Sequence, residues 1–168
     1  MWLCHVWYAH SPDLRKIVFT SNESRRHSME IKDNPSVSGG VVAIPLEGLG
    51  QEVRGLVFSG TVYEAQTPDE IDSAYALYEG RWPKVRSMFS AQDVITEATP
   101  MRMYVLRPNK YSLWDKVNYP DSPQQALTFD ELDQANCPYC GGFRVTNVDA
   151  DTGILTISCV RCLRSWRG

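Results

Sequence analysis

The sequence predicts a mainly β protein of the α+β class: an antiparallel barrel of about six strands with a few short helices, followed by a small terminal ribbon. Two observations predict the barrel. Strand-like stretches follow one another at hairpin spacing instead of alternating with long helices, and glycine and proline punctuate them. The ribbon follows from a third, since four of the five cysteines fall in the last 32 of 168 residues as two CxxC pairs.

The elements are justified in chain order. Residues 2 to 9 read as a strand, with Trp2, Cys4, Val6 and Tyr8 on one face and Leu3, His5 and Trp7 on the other. Ser11-Pro12-Asp13 turns the chain into a second strand, Lys16 to Thr20, to make a hairpin. Ser24 is placed to cap a short helix through Arg25, Arg26, Met29 and Ile31, which Asn34-Pro35 stops because the residue before proline avoids helical dihedrals. Val37 to Leu46 is a third strand, interrupted by Gly39-Gly40, and Glu52 to Glu64 a long fourth one with Gly55 and Gly60 inside it. Thr67-Pro-Asp-Glu70 combines a capping box with proline in the first turn, and Ile71, Ala74, Tyr75 and Tyr78 keep helical spacing as far as Gly80. Val85 to Ser90 adds a short helical piece, and Met101 to Arg107 and Lys110 to Val117 are two strands separated by Pro108-Asn109. The acidic, proline-containing residues 119–136 read as a linker between a first domain, 1–118, and a ribbon, 137–168.

Charge and composition narrow the function. Seventeen Lys and Arg against twenty Asp and Glu give −3, which argues against a broadly basic nucleic-acid binder. No apolar run reaches the roughly 18 residues of a membrane span, and the start lacks the pattern of a signal peptide, so a cytoplasmic protein is expected. Cys4, in an apolar stretch, is expected as a buried, inert thiol. His5, His10 and His27 show no metal-ligand spacing; His5 is expected to be packed in the core with one hydrogen bond. Trp7, Tyr63, Trp82 and Trp114 are expected to be core residues, with the lining of a bound ring as the alternative.

Phe19-Thr-Ser-Asn-Glu-Ser-Arg-Arg-His27 sets two hydroxyls at a strand end and two arginines and a histidine at a helix start. Unpaired N–H groups of a first helical turn, hydroxyls and guanidinium forks together make an anion site; the other reading is a capped surface helix with solvated basic residues. This stretch, continued by Ile31-Lys-Asp-Asn-Pro-Ser-Val-Ser38, resembles the flavin mononucleotide (FMN) binding segment of pyridoxamine 5'-phosphate oxidase-like split β-barrel proteins. Val53-Arg-Gly-Leu-Val-Phe-Ser-Gly60, Tyr78-Glu-Gly-Arg-Trp-Pro83 and Met101 to Asp115 are similar to later segments of the same family, and the likeness spans about residues 2 to 120.

The resemblance implies a split β-barrel that binds FMN between two subunits, hence a homodimer. It places Thr20 and Ser21 on the flavin phosphate with Arg26, sets His27 where lysine is usual and leaves Arg25 as an extra donor; Arg54 is a candidate for the ring or phosphate side of a bound flavin, the other reading being a solvated residue at a strand start. It also places one further strand before Trp2, so the first barrel strand is expected to be missing. The oxidase's strand lysine and its substrate-side basic motif have no counterpart here, which argues against that enzyme's own reaction. The implied function is an FMN-dependent oxidoreductase acting on a small molecule. The alternative is a non-enzymatic module that binds or senses flavin or haem, its ribbon meeting a partner or nucleic acid.

The ribbon is read from the residues alone. Cys137-Pro-Tyr-Cys140 and Cys159-Val-Arg-Cys162 lie eighteen residues apart, and two CxxC turns complete the four-sulfur tetrahedron of structural Zn²⁺. Phe143 to Thr146 and Ile154 to Cys159, joined through Asp151-Thr-Gly153, form the expected hairpin. So short a segment cannot bury enough apolar surface to fold alone, so the metal is expected to supply much of its folding free energy.

Overall fold

Fifteen consecutive residues, Met101–Asp115, form the strand on which the sheet is built. The computed structural model describes residues 3–42, 47–49, 51–52 and 54–127, and the backbone of 144–148, 155–159 and 165–167. Its elements are β1 (Tyr8–His10), β2 (Ile17–Asn22), α1 (Arg26–Asp33), β3 (Ser36–Val42), β4 (Arg54–Glu64), α2 (Pro68–Arg81), a 3-10 helix (Pro83–Ser87), α3 (Ala91–Ile95), β5 (Met101–Asp115) and β6 (Gln124–Leu127), then β7 (Arg144–Val148), β8 (Leu155–Cys159) and β9 (Ser165–Arg167). Six strands make one sheet in the order β1-β2-β5-β4-β3, with β6 also on β5. The pairs whose register is resolved, β1–β2, β2–β5, β3–β4 and β4–β5, are all antiparallel. Among the described residues no helix is long and apolar enough to cross a membrane.

The two strands expected on either side of Pro108-Asn109 are a single one. Proline withholds a ladder donor and is tolerated in a sheet mainly at edges and bulges. Here Pro108 stands opposite Gly60, where the β4–β5 register shifts. A Cβ on Gly60 would lie 2.3 Å from the Arg107 carbonyl oxygen and 2.8 Å from Pro108 Cα, so this crossing accepts only glycine.

Both faces of β5 are buried along Met103, Tyr104, Val105 and Leu106, which is why its first half reads as a continuous apolar run. On one face Val18, Met103 and Val105 pack against Ile71, Ala74, Tyr75 and Tyr78 of α2 and against Val85, Phe89 and Val94. On the other, Ile17, Phe19, Val62, Tyr104 and Leu106 pack with Ile31, Val37 and Phe58. The α2 capping box is present as expected, with Thr67 Oγ1 accepting from Glu70 N and the Glu70 side chain accepting from the cap amide.

Several expectations are corrected. The first strand spans only Tyr8–His10, and residues 3–7 are exposed; Leu3 and Trp7 keep 79% and 70% of their surface in contact with solvent. Alternating apolar residues supply a strand pattern, but among the described residues nothing buries them. Cys4 and His5, expected in the core, are exposed for the same reason. Ser24 does not cap α1: its amide and hydroxyl both donate to Asn22 Oδ1, at 2.9 and 2.8 Å, and the cap position falls to Arg25 with no side-chain bond. Residues 119–136, expected as linker, contribute β6. The short helix α3 was not expected, although Ser90 and Asp93 form its capping box.

The chain divides into two compact units, one made of residues 1–11 and 15–126 and the other mainly of 127–168. In the second, β7, β8 and β9 form an antiparallel sheet, and the β7–β8 hairpin runs where two strands were expected. The zinc assignment lies outside the described residues: Cys137, Cys140 and Cys162 are not among them, and only the backbone of Cys159 is.

Candidate functional site

The end of β2 and the start of α1 meet through a tight turn. Arg25 N donates to Asn22 O at 3.1 Å while Asn22 Oδ1 holds Ser24, so the chain reverses within four residues. This sets the first turn of α1 beside Ser21, which is 7% exposed, and brings Ser21 Oγ to 2.8 Å from His27 Nε2. Burial, and then the neighbouring Arg25, hold the His27 imidazole below its ordinary range, against a smaller opposing pull from Glu30. It is therefore a neutral hydrogen-bonding group at neutral pH.

The N-terminus of α1 differs from those of α2 and α3. Those two carry complete capping boxes, with Glu70 and Asp93 in their first turns. Helix α1 has no side-chain cap and no acid in its first turn. The leading N–H groups of a helix lack intrahelical acceptors and lie at the positive end of its dipole. Arg25 and Arg26 stand exposed at this end. Arg26 Nε is 2.7 Å from Glu30 Oε1, but both side chains are about half exposed, and such pairs are weak enough to exchange for another anion. The donors gathered here, Ser21, His27, Arg25, Arg26 and the first amides of α1, fit a phosphate ester.

The remaining expected residues are placed otherwise. Thr20 is half-buried, and its hydroxyl donates to Arg102 O at 3.1 Å. Arg54 does not join the group: Ser21 pairs with Arg102 at one end of β5, whereas Arg54 pairs with Asp115 at the other. Twelve strand residues lie between those two positions, on the order of 40 Å along the strand. Arg54 instead lies near the Asp115 carboxylate, which holds a turn. Burial pushes the Asp115 carboxyl up, but bonds from Asn118 and Val117, with Arg54 nearby, hold it below the usual range.

Sequence reasoning missed the charged network behind this turn. Arg102, whose side chain is 12% exposed, pairs with Glu23 Oε2 at 2.8 Å and Glu64 Oε1 at 3.5 Å, and Lys32 Nζ lies 3.5 Å from Glu64 Oε2. Arg102 also donates to the Thr99 and Met101 carbonyls. It thereby fastens Glu23, in the turn that presents Arg25, to β5 and β4. The available signal was a lone arginine inside an apolar strand. Nearby, the Tyr104 hydroxyl is fully buried, and burial pushes its pKa up against a smaller opposing pull from the Ser28 hydroxyl. Ile31, Lys32, Pro35, Glu64 and Tyr104 line part of a cleft of about 620 Å³.

A second cleft, of about 260 Å³, lies between α2 and the sheet, lined by residues that include Lys16, Val18, Tyr63, Ser73, Leu77 and Arg107. None of Thr20, Ser21, Arg25, Arg26 or His27 lines either cleft. Of the four aromatic residues considered for ring lining, Trp7 is exposed and meets Trp82 edge-on at 4.8 Å, Trp82 Nε1 donates to Tyr8 O, Tyr63 is half-buried, and Trp114 is 42% exposed. His10 Nδ1 lies 2.9 Å from Ser11 O.

No protein-family model and no curated protein sequence matches the chain. Its likeness to solved structures is one of fold. A heme binding protein from Mycobacterium smegmatis superposes with TM-score 0.58 at 13% identity, over 96% of this chain and 74% of the other. A protein of unknown function from Agrobacterium tumefaciens str. C58 gives 0.53 at 19%, covering 71% of this chain; the match spans 47% of that protein. A conserved hypothetical protein from Mycobacterium tuberculosis gives 0.50 at 16%, over 73% of each chain. With the six-stranded antiparallel sheet, these likenesses define the class by fold: a mainly β split barrel of antiparallel strands with a few short helices.

Proposed function

We propose that the chain is an FMN-binding flavoprotein that acts as an oxidoreductase on a small molecule. The single observation that carries this reading is the uncapped start of α1, with Ser21 and His27 joined beside it and Arg25 and Arg26 exposed at its positive end. Ser21, Arg25, Arg26 and His27 would hold the phosphate; Thr20 would support the strand end through its bond to Arg102 O. Bound flavin supplies the redox chemistry, and the chain's own residues bind and orient it.

The test is the visible spectrum of the purified full chain and its affinity for added FMN. Arg25→Ala and Arg26→Ala should each weaken binding by about 1.5 to 3 kcal/mol, the scale of a hydrogen bond to a charged group. Unchanged affinity in the double variant would remove this site. Haem is the second reading, favoured by the Mycobacterium smegmatis neighbour; a Soret band in place of flavin absorption would select it.

Two further parts of the proposal have their own support. Self-association, expected of a flavin held between subunits, is supported by an apolar patch on the sheet. Val42, Gly55 and Trp114 form one cross-strand row, with Val57 two residues along β4 from Gly55, and Val42 and Val57 are 51% and 53% exposed. Structural zinc on Cys137, Cys140, Cys159 and Cys162 is supported by the spacing of the two CxxC pairs.

A further inference from the structure

We propose that the cleft between α2 and the sheet is a second binding site, which takes a small molecule carrying one carboxylate or phosphate on an apolar body, its charge held by Lys16 and Arg107. The inference rests on none of the flavin argument. The β2–β5 register ends at Ile17 opposite Leu106, and the next residue on each segment, Lys16 and Arg107, lines the same cleft. Like charges placed opposite each other on a sheet face repel. Among the described residues neither cation has an ion-pair partner within 4.0 Å, although Arg107 lies near enough to Glu70 to help the Gln66 and Thr67 amides hold that carboxyl below its ordinary range. An anion bridging the two would remove that repulsion.

Arg107 is already oriented for such a task. Its Nη2 donates to Tyr63 Oη at 3.1 Å, and its guanidinium carbon sits 5.0 Å from the Tyr63 ring centroid. A stacked guanidinium is pre-organised and keeps its remaining N–H donors for a ligand. The floor is apolar, with Val18 and Val105 on the strands and Ala74 and Leu77 on α2, while Ser73 adds a hydroxyl. At about 260 Å³ the space suits a one-ring molecule. The wall also carries two carboxylates, Asp69 and Glu70. Glu70 is committed to the Gln66 and Thr67 amides at 3.1 and 3.4 Å. Asp69 opposes a second negative group, which restricts the site to molecules with a single anionic head.

Calorimetric titration of the full chain with benzoate and with phenyl phosphate tests this, with benzyl alcohol as the neutral control. At least one anion should bind saturably while the alcohol does not, and the tighter of the two identifies the head group. Lys16→Gln and Arg107→Gln should each weaken binding about tenfold or more, and Arg107→Lys should restore part of it, since charge survives and the fork does not. Lys16 is exposed, so Lys16→Gln carries the test if Arg107→Gln lowers the melting temperature. Failure of both anions to bind, or affinity unchanged in Lys16→Gln, would overturn the proposal. Because FMN retention is governed by the α1 turn, its loss in Arg25→Ala with benzoate binding intact would separate the two sites.

Discussion

Arg102 gives the sharpest energetic prediction. Arg102→Met keeps the length and apolar stem of the side chain and removes a nearly buried charge with two carbonyl bonds, at 2.7 and 3.0 Å, and two carboxylate partners. Each lost charged hydrogen bond costs about 1.5 to 3 kcal/mol, but the desolvation penalty of the guanidinium is recovered. Glu23, 43% exposed, returns to water cheaply. Glu64, 16% exposed, keeps only Lys32. The expected net destabilisation is about 2 to 3 kcal/mol. Urea unfolding followed by circular dichroism should show it. The double variant Arg102→Met/Glu64→Gln should be less destabilised than the sum of the singles by about 1 kcal/mol or more, as expected for contacting residues. Strict additivity of the two substitutions would refute the network. The same loss frees the Glu23 side chain while its N–H still donates to Pro100 O, so FMN affinity should fall modestly in Arg102→Met, although Arg102 is not among the residues assigned to the phosphate.

The other predictions concern separate parts of the chain. Thr67→Ala removes the side-chain acceptor of the α2 capping box and should cost about 1 kcal/mol, read as a drop of a few degrees in melting temperature. His27 has its folded pKa depressed below 6.5, so the unfolded chain takes up its proton first; stability should fall as pH drops from about 6.5 through the lower folded value, and His27→Gln should flatten that limb of a pH–stability profile. Arg54→Gln should leave FMN affinity unchanged in a titration, since Arg54 lies beside Asp115 at the other end of β5 from Ser21. Zinc analysis of the full chain should give one metal per chain, falling in Cys137→Ser, while the far-ultraviolet signature of the barrel persists.

Local chemistry was legible wherever it acts over a few residues. The Thr67 to Glu70 capping box, the buried stripe Ile71, Ala74, Tyr75 and Tyr78, the β1–β2 hairpin and the stop at Asn34-Pro35 depend on neighbours in sequence, and each is present. The same rule extended to Ser90 and Asp93 would have found α3. That Ser21 and His27 would lie side by side was also readable, because six residues and one tight turn separate them.

What the sequence determined by itself was therefore the class, antiparallel strands with short helices, and the donor types that gather where β2 enters α1. The tertiary structure alone decided which charges meet. Glu23, Lys32, Glu64 and Arg102 come from four separate elements, and Arg54 parts from the phosphate donors because β5 carries them at opposite ends. It also brought Lys16 and Arg107 to one cleft. Hydrogen-bond register between distant segments fixes those encounters, and register is a property of the assembled sheet, where one residue of slip would present every side chain to the other face.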